Sequence, residues 1–278
     1  MRVDVPASLE ELKDCVARAP EGFRLLAGGT DLVVHLRAHP EETPHLVDLW
    51  GIPELREVRR EESPEGPFLR IGAAATFADL ERHPLVRRHA AALARAAASV
   101  GSTQIRNRAT LGGNVAHASP AADSLPALAC LEARALVVTP EGEEVRPLGS
   151  LISGPGESAL RPREFLSAFL IPLGEGWSSF HKLGSRRAVS ISRVNLALWT
   201  HGETARLFLG ALGALPVPCP EGEGALALRG VERRLALEEA LTGTVDRTIP
   251  GRSSLAYKRD AVRGLGADLC DALEEAGR

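Results

Sequence analysis

The sequence carries two diglycine turns, Gly28–Gly29 and Gly112–Gly113, each set among short polar residues. In the first, "LLAGGTDLVVHLR", the apolar run Leu25, Leu26 and Ala27 stops at the glycines. Thr30, Asp31 and Leu32 then open a helix expected over Asp31 to Arg37. A turn of this kind leaves backbone N–H groups at a helix N-terminus, where proteins hold phosphate. Thr110, Leu111 and Asn114 surround the second pair. They begin "TLGGNVAHASPAADSLPAL", Thr110 to Leu128, a stretch of small residues with one carboxylate, Asp123. Small side chains at this density let a large ligand lie against the backbone. The plainer reading of either turn is a corner in the chain.

Two such turns suit a ligand with two phosphates, because amides from both could converge on one diphosphate. Each hydrogen bond to a charged group contributes roughly 1.5–3 kcal/mol, so four or five would hold it without a lysine. Neither turn contains a lysine, which excludes a Walker loop, and no GxGxxG follows a predicted strand. Other candidates remain open between two readings. Asp123 either meets a ligand or caps a helix over Ser124 to Leu131. Lys182 is one of three lysines in an arginine-rich chain, and is either a ligand contact or a solvated strand charge. His117 is read as structural, and Arg106 and Arg108 face a partner, a phosphate or solvent. No Ser–His–Asp spacing, metal motif or matched carboxylate pair is present.

The elements that must position these residues follow from periodicity. "SLEELKDCVARA" reads as an amphipathic helix with Ser8 as N-cap and Glu11 completing a capping box. "FRLLA" and "HLVDLW" read as strands, so residues 1–54 form a small, mainly parallel sheet with helices. Residues 55–172 read as antiparallel sheet with helices. They contain hairpins around "SPEGP" and "TPEGE", and a helical stretch broken at Pro84. Residues 173–278 read as paired strands followed by helices over "VERRLALEEAL" and "RSSLAYKRDAVRGLGADLCDALEEA". The class is α+β.

At 278 residues the chain is long enough for two or three subdomains, and a net charge of −3 gives no electrostatic case for nucleic acid or an anionic membrane. No apolar stretch approaches a membrane span, and "MRVDVPASLEELKD" has no signal core, so a cytoplasmic protein is expected. Cys15, Cys130, Cys219 and Cys270 are too scattered to build a zinc site or an iron–sulfur cluster within this chain.

Taken together, "LLAGGTDL", "QIRNRATLGGNVAHASPAADSLPAL" and "FHKLGSRRAVSISRV" resemble the FAD-binding subunit of molybdenum hydroxylases. That family includes the medium subunit of carbon monoxide dehydrogenase and the FAD domain of xanthine dehydrogenase. The likeness runs the length of the chain, including the closing "GRSSLAYKRDAV". It implies a two-subdomain FAD-binding fold of the vanillyl-alcohol-oxidase / p-cresol-methylhydroxylase type, plus a C-terminal sheet-and-helix domain. It also implies that Leu25 to Leu32 and Thr110 to Asn114 carry the pyrophosphate. By the same resemblance Asp123 hydrogen-bonds FAD, Leu166 packs on it and Lys182 lies near the flavin. Val100 stands where some relatives place an aromatic ring against the isoalloxazine.

The implied partners are a large molybdenum-cofactor subunit and a small subunit with [2Fe-2S] clusters, in a dimer of heterotrimers. Electrons would reach FAD here and leave to NAD or another acceptor, and the chain alone would be inactive on substrate. The alternatives are a stand-alone FAD-dependent oxidase or reductase of the same fold, or a non-enzymatic scaffold that has lost FAD.

Overall fold

The computed structural model describes residues 2–186 and 189–277. Arg187 and Ala188 of the "FHKLGSRRAVSISRV" segment therefore lie outside the described residues.

Five elements open the chain: β1 (Val3–Asp4), α1 (Leu9–Arg18), β2 (Arg24–Leu26), α2 (Leu32–Ala38) and β3 (Leu46–Asp48). Their strands form a three-stranded sheet in the order β1-β3-β2, parallel at both pairings. Ser8 caps α1 by accepting from the Glu11 N–H, but Glu11 does not close the box. Its carboxylate reaches back one residue further, to the Ala7 N–H at 2.8 Å. The second helix begins at Leu32 and runs to Ala38, one residue later at each end than the expected Asp31 to Arg37. Asp31 occupies its N-cap position without a side-chain capping bond.

Next come β4 (Val58–Glu61), β5 (Phe68–Gly72), α3 (Phe77–Arg82), α4 (Pro84–His89), α5 (Ala91–Ser99), α6 (Thr103–Arg106), α7 (Leu111–His117) and α8 (Ser124–Cys130). They lead into β6 (Arg134–Thr139), β7 (Gly142–Pro147), β8 (Ile152–Gly154), β9 (Glu157–Ser158) and β10 (Phe165–Pro172). The long strand β10 enters between the two hairpins, giving an antiparallel sheet in the order β4-β5-β10-β6-β7. The helical stretch breaks at Pro84 as expected and again at Ala90, whose ψ of 50° ends one helix and starts the next. Proline at the first helical position costs nothing, because its missing N–H would have had no partner there.

The last region holds β11 (Trp177–Gly184), β12 (Ser192–His201), β13 (Thr204–Gly210), β14 (Val217–Pro218), α9 (Pro220–Ala225), α10 (Gly230–Thr248) and α11 (Leu255–Glu275). Its strands form a four-stranded antiparallel sheet in chain order. Strand alternation divides its two faces. Val194, Leu196 and Leu198 of β12 join one core with Leu237, Leu241, Val262 and Leu269 of α10 and α11. Ala197 of β12 and Phe180 of β11 face the other way, into the core shared with α5 and α8. The intervening position on that second face is Asn195, fully buried. Fully burying a leucine or valine contributes about 1.5–3 kcal/mol, so these two faces fix which residues of the sheet can meet α8.

Candidate functional site

The first turn follows directly from strand β2. Gly28 is pressed against the chain that precedes α7: a Cβ there would lie 1.9 Å from the Arg108 carbonyl oxygen. Arg108 Nε also donates to the Gly28 carbonyl at 3.4 Å, and its guanidinium lies 3.7 Å from the Trp50 ring centroid. Gly29 adopts φ +72°, a left-handed conformation that glycine enters without steric cost. Among the described residues, the N–H groups of Gly28, Gly29, Thr30, Asp31 and Leu32 have no hydrogen-bond acceptor. The Asp31 carboxylate sits 3.2 Å from His117 Nδ1 at the far end of α7.

The second turn is arranged differently. Thr110 is the N-cap of α7, and its hydroxyl accepts from the Gly113 N–H at 3.1 Å. The Leu111 N–H donates to Ala75 at 3.0 Å, the Gly112 N–H to Ala73 at 2.7 Å, and the Asn114 N–H to the Thr110 carbonyl at 3.0 Å. All four amides are therefore occupied within the protein. The picture of amides converging from both turns is corrected: the second turn seats α7 on the backbone after β5, and the unpaired donors belong to the first. Gly112 permits that seating, since a Cβ would lie 2.7 Å from Ala73 Cβ.

The two turns nevertheless meet. Leu25 and Ala27 share a cavity of about 100 Å³ with Gly112, Gly113, Ala116 and Leu166. From there a polar connection runs onward, because the Asn114 side-chain oxygen accepts from the Ser124 hydroxyl at 2.6 Å.

Asp123, next to Ser124, makes no capping bond to α8. The capping reading is corrected, and the reason lies in the C-terminal sheet. Asp123 Oδ2 takes the Lys182 ammonium at 2.6 Å and the Ser99 hydroxyl at 3.2 Å. Its Oδ1 takes the Ser192 hydroxyl and Asn195 Nδ2, the latter at 2.8 Å. Only 5% of the Asp123 side chain and 12% of Lys182 are exposed, so Lys182 is not a solvated strand charge. Such a buried pair holds only because further hydrogen bonds satisfy both ions. Lys182 lines a cleft of about 770 Å³ together with Ser99, Gly101, Thr103, Arg106 and Ser190. Val100 packs against the core instead, while its neighbours Ser99 and Gly101 form the wall. Arg106 is held by Glu81 at 3.0 Å and by the Val100 and Gly101 carbonyls.

The partners Ser99, Ser192 and Asn195 were not among the residues picked out from the sequence. The signal for Asn195 was available: it is an amide inside the otherwise aliphatic "VNLAL". The cysteines stay apart. Cys130, Cys219 and Cys270 are buried, and burial pushes the Cys130 thiol upward. Among the described residues, three metal-capable side chains come together at His39, Glu41 and Glu42, all exposed. There His39 already pairs with Glu41 at 3.3 Å and His35 with Glu42 at 3.1 Å, as surface ion pairs do. No helix among the described residues is long and apolar enough to cross a membrane.

Five unpaired amides at a strand-to-helix turn and, elsewhere, a cleft walled by a buried ammonium are the unmet and charged donors of this mixed helix-and-sheet protein, and groups of that kind suit an anionic ligand. The chain belongs to the family described as the FAD binding domain in molybdopterin dehydrogenase, which matches residues 1–174. Over 287 aligned residues it is 31% identical to the nicotinate dehydrogenase FAD-subunit of Eubacterium barkeri, covering 97% of this chain and 96% of that one. It is 32% identical over 256 residues to the xanthine dehydrogenase FAD-binding subunit of Escherichia coli O157:H7, covering 89% and 86%. Its backbone also superposes with a TM-score of 0.82 on a chain of the carbon monoxide dehydrogenase of Hydrogenophaga pseudoflava that lacks the Mo-pyranopterin moiety of its cofactor. That likeness covers 96% of this chain and 94% of the other at 24% identity, and speaks for the fold.

Proposed function

We propose that the chain is the FAD-binding electron-transfer subunit of a molybdenum hydroxylase complex. The observation that carries this reading is the row of unpaired N–H groups from Gly28 to Leu32, packed against the start of α7. Unpaired backbone donors at the beginning of a helix are complementary to a diphosphate. In this arrangement Gly28, Gly29, Thr30, Asp31 and Leu32 supply the amides. Leu25, Leu26, Ala27 and Leu166 supply apolar wall, and Thr110 to Asn114 hold the turn in place. Lys182 faces the cleft, Asp123 fixes Lys182, and Val100 shapes the wall from behind. FAD, when bound, supplies two-electron redox chemistry, and the protein supplies its position and electrostatic surroundings.

The fold reading is a two-subdomain flavin-binding unit of the vanillyl-alcohol-oxidase type, over residues 1–54 and 55–172, with a C-terminal domain over residues 173–278. The parallel sheet, the β10-centred sheet and the C-terminal sheet support that division. The partners are a large molybdenum-cofactor subunit and a small [2Fe-2S] subunit, in a dimer of heterotrimers. NAD or another acceptor takes the electrons away. The family's molybdopterin description and the relatives' names as FAD subunits support this division of labour.

The test is purification of the native complex. A flavin absorption spectrum at one FAD per chain, with co-purifying iron–sulfur and molybdenum subunits, is expected. A colourless chain, or a flavoprotein that hydroxylates substrate without partners, refutes the reading.

A further inference from the structure

Little apolar burial holds α2. It is seven residues long and none of them is buried. A helix that short is marginal in water and normally depends on an apolar face packed against the core. Here Val34 is 62% exposed, and Leu32, Val33 and Leu36 are only half-buried.

What α2 carries instead is a group of ligating side chains at its C-terminal end. His35 and His39 stand four residues apart, which places them on one face, and their ring centroids are 4.6 Å apart. Arg37 lies two residues from each and so falls off that face. After Pro40 the chain folds back, and the Glu42 N–H donates to the His39 carbonyl at 3.0 Å. That return brings two carboxylates to the histidines. His39 Nδ1 lies 3.3 Å from Glu41, and His35 Nε2 lies 3.1 Å from each Glu42 oxygen.

As ion pairs these contacts add little, because exposed pairs are solvated and screened. Their spacing suits a metal ion. His39, Glu41 and Glu42 each offer one ligand atom, and the three atoms lie within 4.8 Å of one another. Zinc bound by imidazole and carboxylate at about 2.0–2.2 Å sets neighbouring ligand atoms about 3.3–3.6 Å apart in a tetrahedron. The His39–Glu41 separation already matches such an edge. His35 is then the outer partner of Glu42, the kind of hydrogen bond that orients a ligating carboxylate. A dication is also favoured at the negative end of a helix.

The geometry points to a divalent transition-metal site of the zinc class at His39, Glu41 and Glu42, with His35 positioning Glu42. The metal staples α2 to the turn that follows it. An imidazole ligand suits zinc and its neighbours, whereas magnesium and calcium call for oxygen ligands alone. The site stands apart from the functional reading above, since none of its side chains lines the Lys182 cleft or the cavity between the diglycine turns.

The experiment titrates the intact protein, freed of loosely bound metal, with zinc chloride in excess magnesium and reads the heat of binding. Amide hydrogen exchange across α2 is followed in parallel by mass spectrometry. One zinc per chain should bind, and the α2 amides should exchange more slowly once it has. His35→Ala should weaken binding about tenfold, as loss of an outer partner does, and His39→Ala at least about a hundredfold. Both side chains are about half exposed, so neither substitution empties the core. In His39→Ala, zinc should leave exchange across α2 unchanged. No saturable binding, binding that His39→Ala does not weaken, or bound zinc that leaves α2 unprotected overturns the inference.

Discussion

Gly28 and the Arg108 carbonyl approach so closely that the position has no room for a side chain: a Cβ would stand 1.9 Å from that oxygen. Since the obstacle is backbone, it cannot swing aside. Gly28→Ala should therefore separate the two turns and destabilise the fold by about 2–4 kcal/mol, in the range of severe overpacking. Gly29→Ala, which meets only side-chain methyls and a φ of +72°, should cost about 1 kcal/mol. Urea unfolding followed by far-UV circular dichroism measures both. Equal effects of the two substitutions would contradict the packing described.

Glu164 is held from two sides, by Arg146 at 2.7 Å and by the Arg161 backbone and guanidinium at 2.9 and 2.6 Å, with 1% of its side chain exposed. The Arg146 guanidinium, first among these, lowers its carboxyl from 4.5 to about 2. A depressed carboxyl stabilises the fold above its unfolded value and loses that contribution as pH falls through the folded one. Allowing for screening, Glu164→Gln should lower stability by ~2 kcal/mol at neutral pH. The gap to wild type should shrink between about pH 4.5 and pH 2. Urea midpoints across that range provide the check, and a gap that widened on acidification would refute the assignment.

Asp123 and Lys182 form a buried pair whose members should not be removable singly. Asp123→Asn or Lys182→Met alone should cost about 3–5 kcal/mol, because each leaves a buried charge without its counterion. The double variant should cost less than the sum of the two, and a double-mutant cycle yields the coupling. Additive losses would mean that the pair is not coupled.

Local pattern carried most of the elements into view and stopped where distant parts of the chain meet. Ser8 could be read as a cap because its partner amide is three residues away. Pro84 could be read as a break because its ring acts on its own backbone. Asp123 stays open between ligand and cap for the same reason: an aspartate before "SLPALAC" satisfies every local criterion for a cap. Its true partners stand 59, 69 and 72 residues further along, brought to it by the register of β11 against β12. The amides of Leu111 and Gly112 likewise look available in the sequence, because nothing in "TLGGN" reveals that the Ala73 and Ala75 carbonyls run beneath them.

That difference between the turns gives the last prediction. The Thr110 hydroxyl serves α7 alone, accepting from Gly113, and all four amides at that end are bonded within the protein. Thr110→Val should therefore lower stability by about 1 kcal/mol, the usual effect of losing an N-cap, and leave FAD affinity within a factor of about three. Loss of a single amide from the first turn should instead weaken FAD binding by roughly tenfold or more, since each such bond to a charged group is worth about 1.5–3 kcal/mol. An ester in place of the Thr30 peptide N–H, introduced by semisynthesis, removes that donor and keeps every side chain. Calorimetric titration of apo-protein with FAD compares the two. If Thr110→Val proved the more damaging to affinity, the diphosphate would belong to the second turn and the first would be a corner.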